Sequence, residues 1–126
     1  MKNLIKCLLV LCVSVCLNAC YSENVQTLYP QSSLANCDTV NVNYTTVIQP
    51  IFSRSCALSG CHTGYYAAGG LSFDSYQMSV AVVKNGRLIG SLKHEDGYRP
   101  MPLSNTVLSV CEIAKIQSWI NAGMPL

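Results

Sequence analysis

Two cysteines and a histidine lie close together in the middle of the chain, in the stretch Cys56-Ala57-Leu58-Ser59-Gly60-Cys61-His62. Two thiols can form thioether bonds to the vinyl groups of a haem, and a histidine directly after the second thiol can ligate the iron. The usual motif has two residues between the cysteines, whereas this one has four. The intervening residues need only bridge two anchor points, and Gly60 allows a tight turn before Cys61. The stretch therefore predicts a covalent haem site.

The same three side chains allow two other interpretations. Cys56 and Cys61 can form a short-loop disulfide, since paired cysteines in exported chains are often bridged. Alternatively, the two thiolates and the His62 imidazole can be three ligands of a zinc site. The stretch by itself favours the haem site and leaves the other two open.

The N-terminal residues have the pattern of an export signal. Lys2 and Lys6 form a short positive region, and residues 4–17 are an almost unbroken apolar run, too short to span a bilayer comfortably. This pattern predicts a signal peptide that directs the chain into the cell envelope.

The signal ends in Leu17-Asn18-Ala19-Cys20, which resembles a bacterial lipobox. In a lipobox the cysteine is lipidated and becomes the new N-terminus. We therefore expect a lipoprotein signal peptide over residues 1–19 and a lipid on Cys20, which makes the protein a periplasm-facing or surface lipoprotein anchored to a membrane. The alternatives are an ordinary secretory signal cut near Ala19 and an uncleaved membrane anchor.

The mature chain expected from this cleavage is short and electrically neutral. Removing the first 19 of 126 residues leaves 107, enough for one small domain. The full chain has eight basic and six acidic residues, and loss of Lys2 and Lys6 leaves six of each. Since no Lys or Arg cluster remains to follow a phosphate backbone, nucleic acid is not an expected partner.

Four cysteines are left beside the lipidated Cys20, namely Cys37, Cys56, Cys61 and Cys111. If a haem takes Cys56 and Cys61, the other two form a pair that joins the segment before the first helix to the start of the last. This bridge would close a loop of about 75 residues and stabilise the fold by roughly 4 kcal/mol on a chain-entropy estimate. A haem-free chain with two disulfides accounts for the four thiols equally well.

Residues 20–36 are polar and turn-rich, which indicates a flexible tether before a domain at residues 37–126. Residues 45–55 predict a first helix, with Pro50 acceptable only in its first turn. One face of this helix is apolar and carries Val47, Ile48, Ile51 and Phe52.

Further helical patterns follow along the domain. Asp74 or Ser75 can cap a helix that runs to about Lys84, and a short helical piece is expected at residues 87–93. Ser109-Val110-Cys111-Glu112 is a capping box that opens a last helix, which stops at Gly123. The predicted fold is mostly α, with few or no strands.

A domain of this size can bury only a modest apolar surface, and a central haem would supply much of the missing core. The iron then needs a second axial ligand opposite His62. Met101 is preferred because it lies in Arg99-Pro100-Met101-Pro102, where the prolines restrict the backbone. His94, at the start of the same loop, is its rival. Met78 is expected to serve packing and Met124 to be peripheral.

Residues from about Val47 to Gly123 resemble the small c-type cytochrome domains of Bacteroidetes and Planctomycetes lipoproteins and exported proteins. The shared residues are Ile51-Phe52, the stretch 56–62, Gly69-Gly70-Leu71-Ser72, Met101-Pro102, Cys111-Glu112-Ile113, Ile116, Trp119-Ile120 and Gly123. In that family four residues commonly separate the haem cysteines. The resemblance implies a cytochrome c-like helical domain around one covalent haem c. Cys56 and Cys61 would attach it, His62 would be the proximal ligand of the iron and Met101 the distal one.

The function implied is that of a membrane-anchored electron carrier that exchanges electrons with redox partner proteins, not that of an enzyme. The haem propionates would pair with cationic side chains, for which the candidates are Arg54, Arg87, Lys93 and Arg99. Two alternatives stay open. One is a haem-free, disulfide-bonded binding lipoprotein, and the other is a haem enzyme or gas sensor with an open sixth position.

Overall fold

The computed structural model describes residue 34, residues 36–103 and residues 107–126. Within these residues the regular structure is helical and includes no strand, which confirms the prediction of a mostly α fold. The predicted signal peptide at residues 1–19, the predicted lipidation site Cys20 and most of the predicted tether lie outside the described residues. In the part of the chain that is described, no helix combines the length and hydrophobicity that a bilayer span requires.

The first helical segment contains two types of helix, whereas the sequence predicts a single helix over residues 45–55. A π-helical segment at Tyr44–Ile48 comes first, and α1 follows at Gln49–Ser55. Pro50 is the physical reason for this division, because it has no N–H with which to continue an α-helical ladder and is tolerated only near a helix start. It lies in the first turn of α1, as the sequence requires.

Two short helices follow close to their predicted positions. Helix α2 spans Tyr76–Lys84, and the hydroxyl of Ser75 caps it by accepting a hydrogen bond from the Met78 N–H. Helix α3 spans Leu88–Leu92. Helices of this length are not stable alone in water, so they depend on packing against the rest of the domain. The long connection between α1 and α2 is loop except for a single 3₁₀ turn at Ala68–Gly70.

Helix α4 spans Val110–Asn121 and begins with the predicted capping box. The Ser109 hydroxyl accepts a hydrogen bond from the Glu112 N–H, and the Glu112 carboxylate accepts one from the Ser109 N–H at 2.7 Å. Gly123 has a φ of +82° just after the helix, a conformation that favours glycine and stops the helix where the sequence predicts.

A disulfide joins Cys37 to Cys111, with 5.6 Å between their Cα atoms. The predicted pairing of these two cysteines is therefore confirmed. The bond ties the first turn of α4 to the segment that precedes the π-helical residues. It closes most of the domain into one covalent loop, which restricts the unfolded chain more than the folded one.

The core forms where α4 packs across the first helical segment. Its largest fully buried side chains are Trp119, Phe52, Ile48 and Ile116. The indole N–H of Trp119 donates to the Pro125 carbonyl at 2.8 Å. The Phe52 ring packs against Trp119, with 6.2 Å between ring centroids, and against Phe73, at 4.5 Å. Phe73 is also part of the wall of a cavity, so one side of the core opens into that cavity.

Candidate functional site

One cavity of about 440 Å³ is bordered by all four residues that the sequence predicts for haem binding, Cys56, Cys61, His62 and Met101. Its volume is within the range of roughly 300–1,000 Å³ found for small-molecule sites. Much of the wall is apolar and includes Leu71, Phe73, Val82, Leu88, Leu92 and Pro102. Residues that are far apart in the sequence therefore meet around one apolar space.

The cysteine loop begins where α1 ends. Cys56 caps the helix, and its N–H donates to the Phe52 carbonyl at 2.8 Å. The Cys61 N–H donates to the Leu58 carbonyl, and the His62 N–H donates to the Cys56 carbonyl at 3.1 Å. Gly60 has a φ of +77°, so the tight turn before Cys61 uses the conformational freedom predicted for this glycine.

The two thiols of this loop are both free, Cys56 buried and Cys61 exposed. The short-loop disulfide considered from the sequence is therefore not formed. Burial, and secondly the charge of Cys61, raise the pKa of the Cys56 thiol to about 12. Among the described residues no three His, Cys, Asp or Glu side chains are grouped as metal ligands, so the zinc interpretation has no support there.

The His62 ring has two neighbours that orient it. Its Nδ1 atom lies 2.9 Å from the carbonyl oxygen of Leu71, and because a carbonyl can only accept, Nδ1 carries the proton. The ring also packs against Phe73 in a T-shaped arrangement, with 5.8 Å between centroids. This tautomer leaves the lone pair on Nε2, and a hydrogen bond from the other ring nitrogen is the usual way in which proteins orient a metal-binding histidine.

Met101 is partly buried and borders the cavity, whereas its rival His94 is exposed and does not. The Met101 N–H donates to the Ser91 carbonyl at 3.0 Å, which anchors the loop to α3. The other two methionines considered from the sequence are also absent from the cavity wall. Met124 packs against the edge of the core, and Met78 is 49% exposed, so Met78 does not serve the packing role expected for it.

Two arginines border the cavity, Arg87 and Arg99, and no acidic residue that the structure describes does so. The Arg87 guanidinium lies over the Tyr98 ring, 5.5 Å from its centroid. An arginine stacked on an aromatic ring is partly ordered before a ligand binds. The cavity therefore combines an apolar wall with positive charge at its border.

The two other cations considered from the sequence are engaged elsewhere. Arg54 forms an ion pair with Glu112, next to the start of α4. Lys93 lies 4.0 Å from the carboxylate of Glu95, with both side chains about half exposed. Neither borders the cavity.

One contact that the sequence did not predict holds the loop of Met101 on α3. The Tyr98 ring lies against Gly90, so closely that a Cβ atom at this glycine would be 2.6 Å from ring carbons. The position of Gly90 inside a predicted helix could have indicated this contact. A glycine there costs about 1 kcal/mol of helix stability relative to alanine, and it is often present because a neighbouring group packs closely against it. The bond from His62 to Leu71 had no such signal, since any residue can supply a backbone carbonyl.

The residues around the cavity fit a haem. Two free thiols, an imidazole with its lone pair on Nε2 and a methionine border one apolar space, and two guanidinium groups could pair with carboxylates. No family model, curated protein or solved structure matches the chain.

Proposed function

We propose that this protein is a membrane-anchored monohaem c-type cytochrome that carries single electrons. The observation that carries the proposal is the meeting of Cys56, Cys61, His62 and Met101 around one apolar cavity. These four residues are the ones that the cytochrome resemblance requires. Ordinary packing does not explain why two free thiols, an imidazole and a thioether all line the same cavity.

In this proposal each of the four residues has one role. Cys56 and Cys61 would form the thioether bonds to a haem, and Nε2 of His62 and the sulfur of Met101 would ligate its iron. A bound haem would supply reversible one-electron chemistry at its iron. Because two side chains of the protein itself would ligate the iron, we expect no substrate to bind there and no group to be transferred, which fits a carrier and not an enzyme.

The other residues of the cavity set the conditions for that chemistry. The apolar wall of Phe73, Val82, Leu88 and Leu92 would shield one side of a bound haem from water and raise the cost of extra charge in the site. Arg87 and Arg99 would neutralise the haem propionates, and the hydrogen bond from His62 to Leu71 keeps the imidazole oriented and increases its strength as a donor.

We further propose that a lipid on Cys20 anchors the protein to a membrane of the cell envelope, facing the periplasm or the surface. Its partners would be redox proteins that reach the same membrane, and nucleic acid would not be among them. The support for this location is the signal and lipobox pattern at residues 1–20 together with the Cys37–Cys111 disulfide, because such bonds persist in oxidising compartments.

The test is to produce the full chain together with a c-type haem assembly system and to examine it after denaturation. We expect haem that stays attached to the polypeptide, and we expect the Cys56→Ala and Cys61→Ala variants each to lose one thioether bond. The matched control is the double variant Cys37→Ala with Cys111→Ala, which should retain covalent haem.

Two outcomes would point to the alternatives. Complete absence of covalent haem after competent assembly would reject the proposal and favour a haem-free lipoprotein. Ready binding of carbon monoxide by the ferrous protein would indicate an open sixth position, as in a haem enzyme or gas sensor.

A further inference from the structure

Asp74 connects two segments of the chain at the point where His62 is held. Its carboxylate accepts hydrogen bonds from the Thr63 hydroxyl, from the Gly64 N–H at 2.7 Å and from the Ser72 hydroxyl at 3.0 Å. Thr63 and Gly64 directly follow His62 but lie 11 and 10 residues before Asp74. Two of the three bonds therefore join distant parts of the sequence instead of stabilising a local turn.

The segment that contains Asp74 is also the one that bonds to His62. The Leu71 carbonyl accepts the Nδ1 proton of the ring, and the Phe73 N–H donates to the His62 carbonyl at 3.0 Å. Residues 62–64 and 71–74 thus lie side by side, with His62 bonded at one end of the pair and Asp74 at the other. A shift of one segment along the other would move the Leu71 carbonyl away from the ring.

The loop between the two segments has hydrogen bonds of its own, including one from the Ala68 N–H to the Cys61 carbonyl at 2.7 Å, but its large side chains add little to the alignment. Gly64, Gly69 and Gly70 have φ values of +73°, +64° and +68°, and glycines of this kind lose much conformational freedom on folding. The two largest side chains of the loop, Tyr65 and Tyr66, are 94% and 92% exposed, so they do not pack it against the core. The bonds between the segments, those of Asp74 among them, therefore contribute to the alignment together with the buried Phe73 side chain.

We propose that Asp74 is a positioning residue for His62, because its carboxylate fixes residues 62–64 against residues 71–74 and so keeps the Leu71 carbonyl in place to accept the Nδ1 proton. The consequence for iron ligation, a lone pair held on Nε2, rests on the proposed function. The positioning itself does not, since the bonds exist in the chain without haem. The three donors, the Thr63 hydroxyl first, hold the pKa of the Asp74 carboxyl below its usual range, so it is ionised at neutral pH and its hydrogen bonds are charge-assisted.

The experiment measures the His62 tautomer by nitrogen NMR in the full chain, produced without haem assembly and labelled at histidine. In the unchanged chain we expect a protonated Nδ1 that exchanges slowly with water. In Asp74→Ala we expect that proton to exchange about tenfold faster, which corresponds to about 1.4 kcal/mol, together with a larger share of the Nε2–H tautomer. Asp38→Ala is the matched control, because Asp38 is also exposed and caps only its own turn through Val40.

Conservative variants separate position from charge. Asp74→Asn keeps a carbonyl acceptor for the Gly64 N–H, and its amide can donate to the Thr63 hydroxyl, so it should restore most of the slow exchange. Thr63→Val removes one donor with little change of shape and should shift His62 in the same direction by a smaller amount. This variant serves as the test if Asp74→Ala does not fold.

Two results would overturn the proposal. One is a His62 tautomer and exchange rate unchanged in Asp74→Ala, or in Thr63→Val where that variant is the test. The other is an equal change in Asp38→Ala, which would indicate a general loss of stability. Because the haem-free chain is used, neither result bears on whether haem is attached. Failure of the proposed function would instead appear as absence of covalent haem.

Discussion

The Nε2 atom of His94 lies 3.2 Å from the carbonyl oxygen of Met101. Since a carbonyl only accepts, this nitrogen carries the proton and donates. His94 and the Ser91 carbonyl therefore hold the backbone of Met101 from its two sides. His94, the other candidate for the distal ligand, thus helps to position Met101. Substitution of His94 should therefore affect stability, whereas substitution of Met101 should affect the iron.

In the haem-loaded form that we propose, Met101→Ala should abolish the sulfur-to-iron charge-transfer band of the oxidised protein and lower its reduction potential. The physical reason is that methionine ligation favours the reduced iron more than histidine or water does. The absorption spectrum and a redox titration provide the measurement. Met78→Ala is the matched control, because Met78 is half exposed on α2 and does not border the cavity.

His94→Ala should keep the charge-transfer band and reduce the free energy of unfolding by about 1 kcal/mol, the usual value of one hydrogen bond. The same spectrum, with urea unfolding, checks both expectations. Loss of the band in His94→Ala, with the band retained in Met101→Ala, would assign the distal ligand to His94 instead.

The disulfide should dominate the stability of the domain. Replacing both Cys37 and Cys111 with alanine should lower the free energy of unfolding by about 4 kcal/mol, because the 74-residue separation closes a long loop in the unfolded chain. Urea unfolding of the double variant measures this. Cys61→Ala is the control in the haem-free chain, since this exposed free thiol closes no loop. An equal loss in both would show that the effect does not come from the cross-link.

Much of the fold could be predicted because local signals agree with it. The capping box at Ser109 predicted the start of α4, and the choice of Asp74 or Ser75 as a cap predicted the start of α2 to within one residue, with Ser75 the observed cap. The Cys37–Cys111 bond followed once Cys56 and Cys61 were assigned elsewhere. In each of these cases a side chain of particular chemistry carries the information.

Other features were not predictable because backbone atoms or packing determine them. The π-helical turn before Pro50 depends on how the chain accommodates the missing N–H of the proline, and more than one type of helical turn can do so. The Leu71 carbonyl that holds His62 could come from any residue type. The choice of Met101 over His94 at the cavity depends on how one loop folds onto α3, and the sequence offers both as ligands.

The Cys56 thiol should make the haem-free chain less stable in alkaline solution. Its pKa is about 12 in the folded chain, against an ordinary value of 9.0. As the pH rises, the unfolded chain therefore loses the thiol proton before the folded chain does. The thiol does not affect the free energy of unfolding below its pKa in the unfolded chain, and it lowers that free energy progressively as the pH rises toward its pKa in the folded chain. We expect a loss of about 1.4 kcal/mol between about pH 8 and about pH 10. Urea unfolding at several pH values measures it, and Cys56→Ala, which lacks this thiol, should lack the slope.

Gly90 should tolerate alanine only when Tyr98 is removed. Its backbone is helical, so alanine alone would improve the helix by up to about 1 kcal/mol, but the new Cβ would lie 2.6 Å from the Tyr98 ring. Overpacking of this kind costs roughly 1–3 kcal/mol. We expect Gly90→Ala to destabilise the chain in urea unfolding and to become neutral or stabilising in a Tyr98→Ala background. Equal effects of Gly90→Ala in both backgrounds would mean that the ring and the glycine are not in contact, and that Tyr98 does not hold the loop of Met101 against α3.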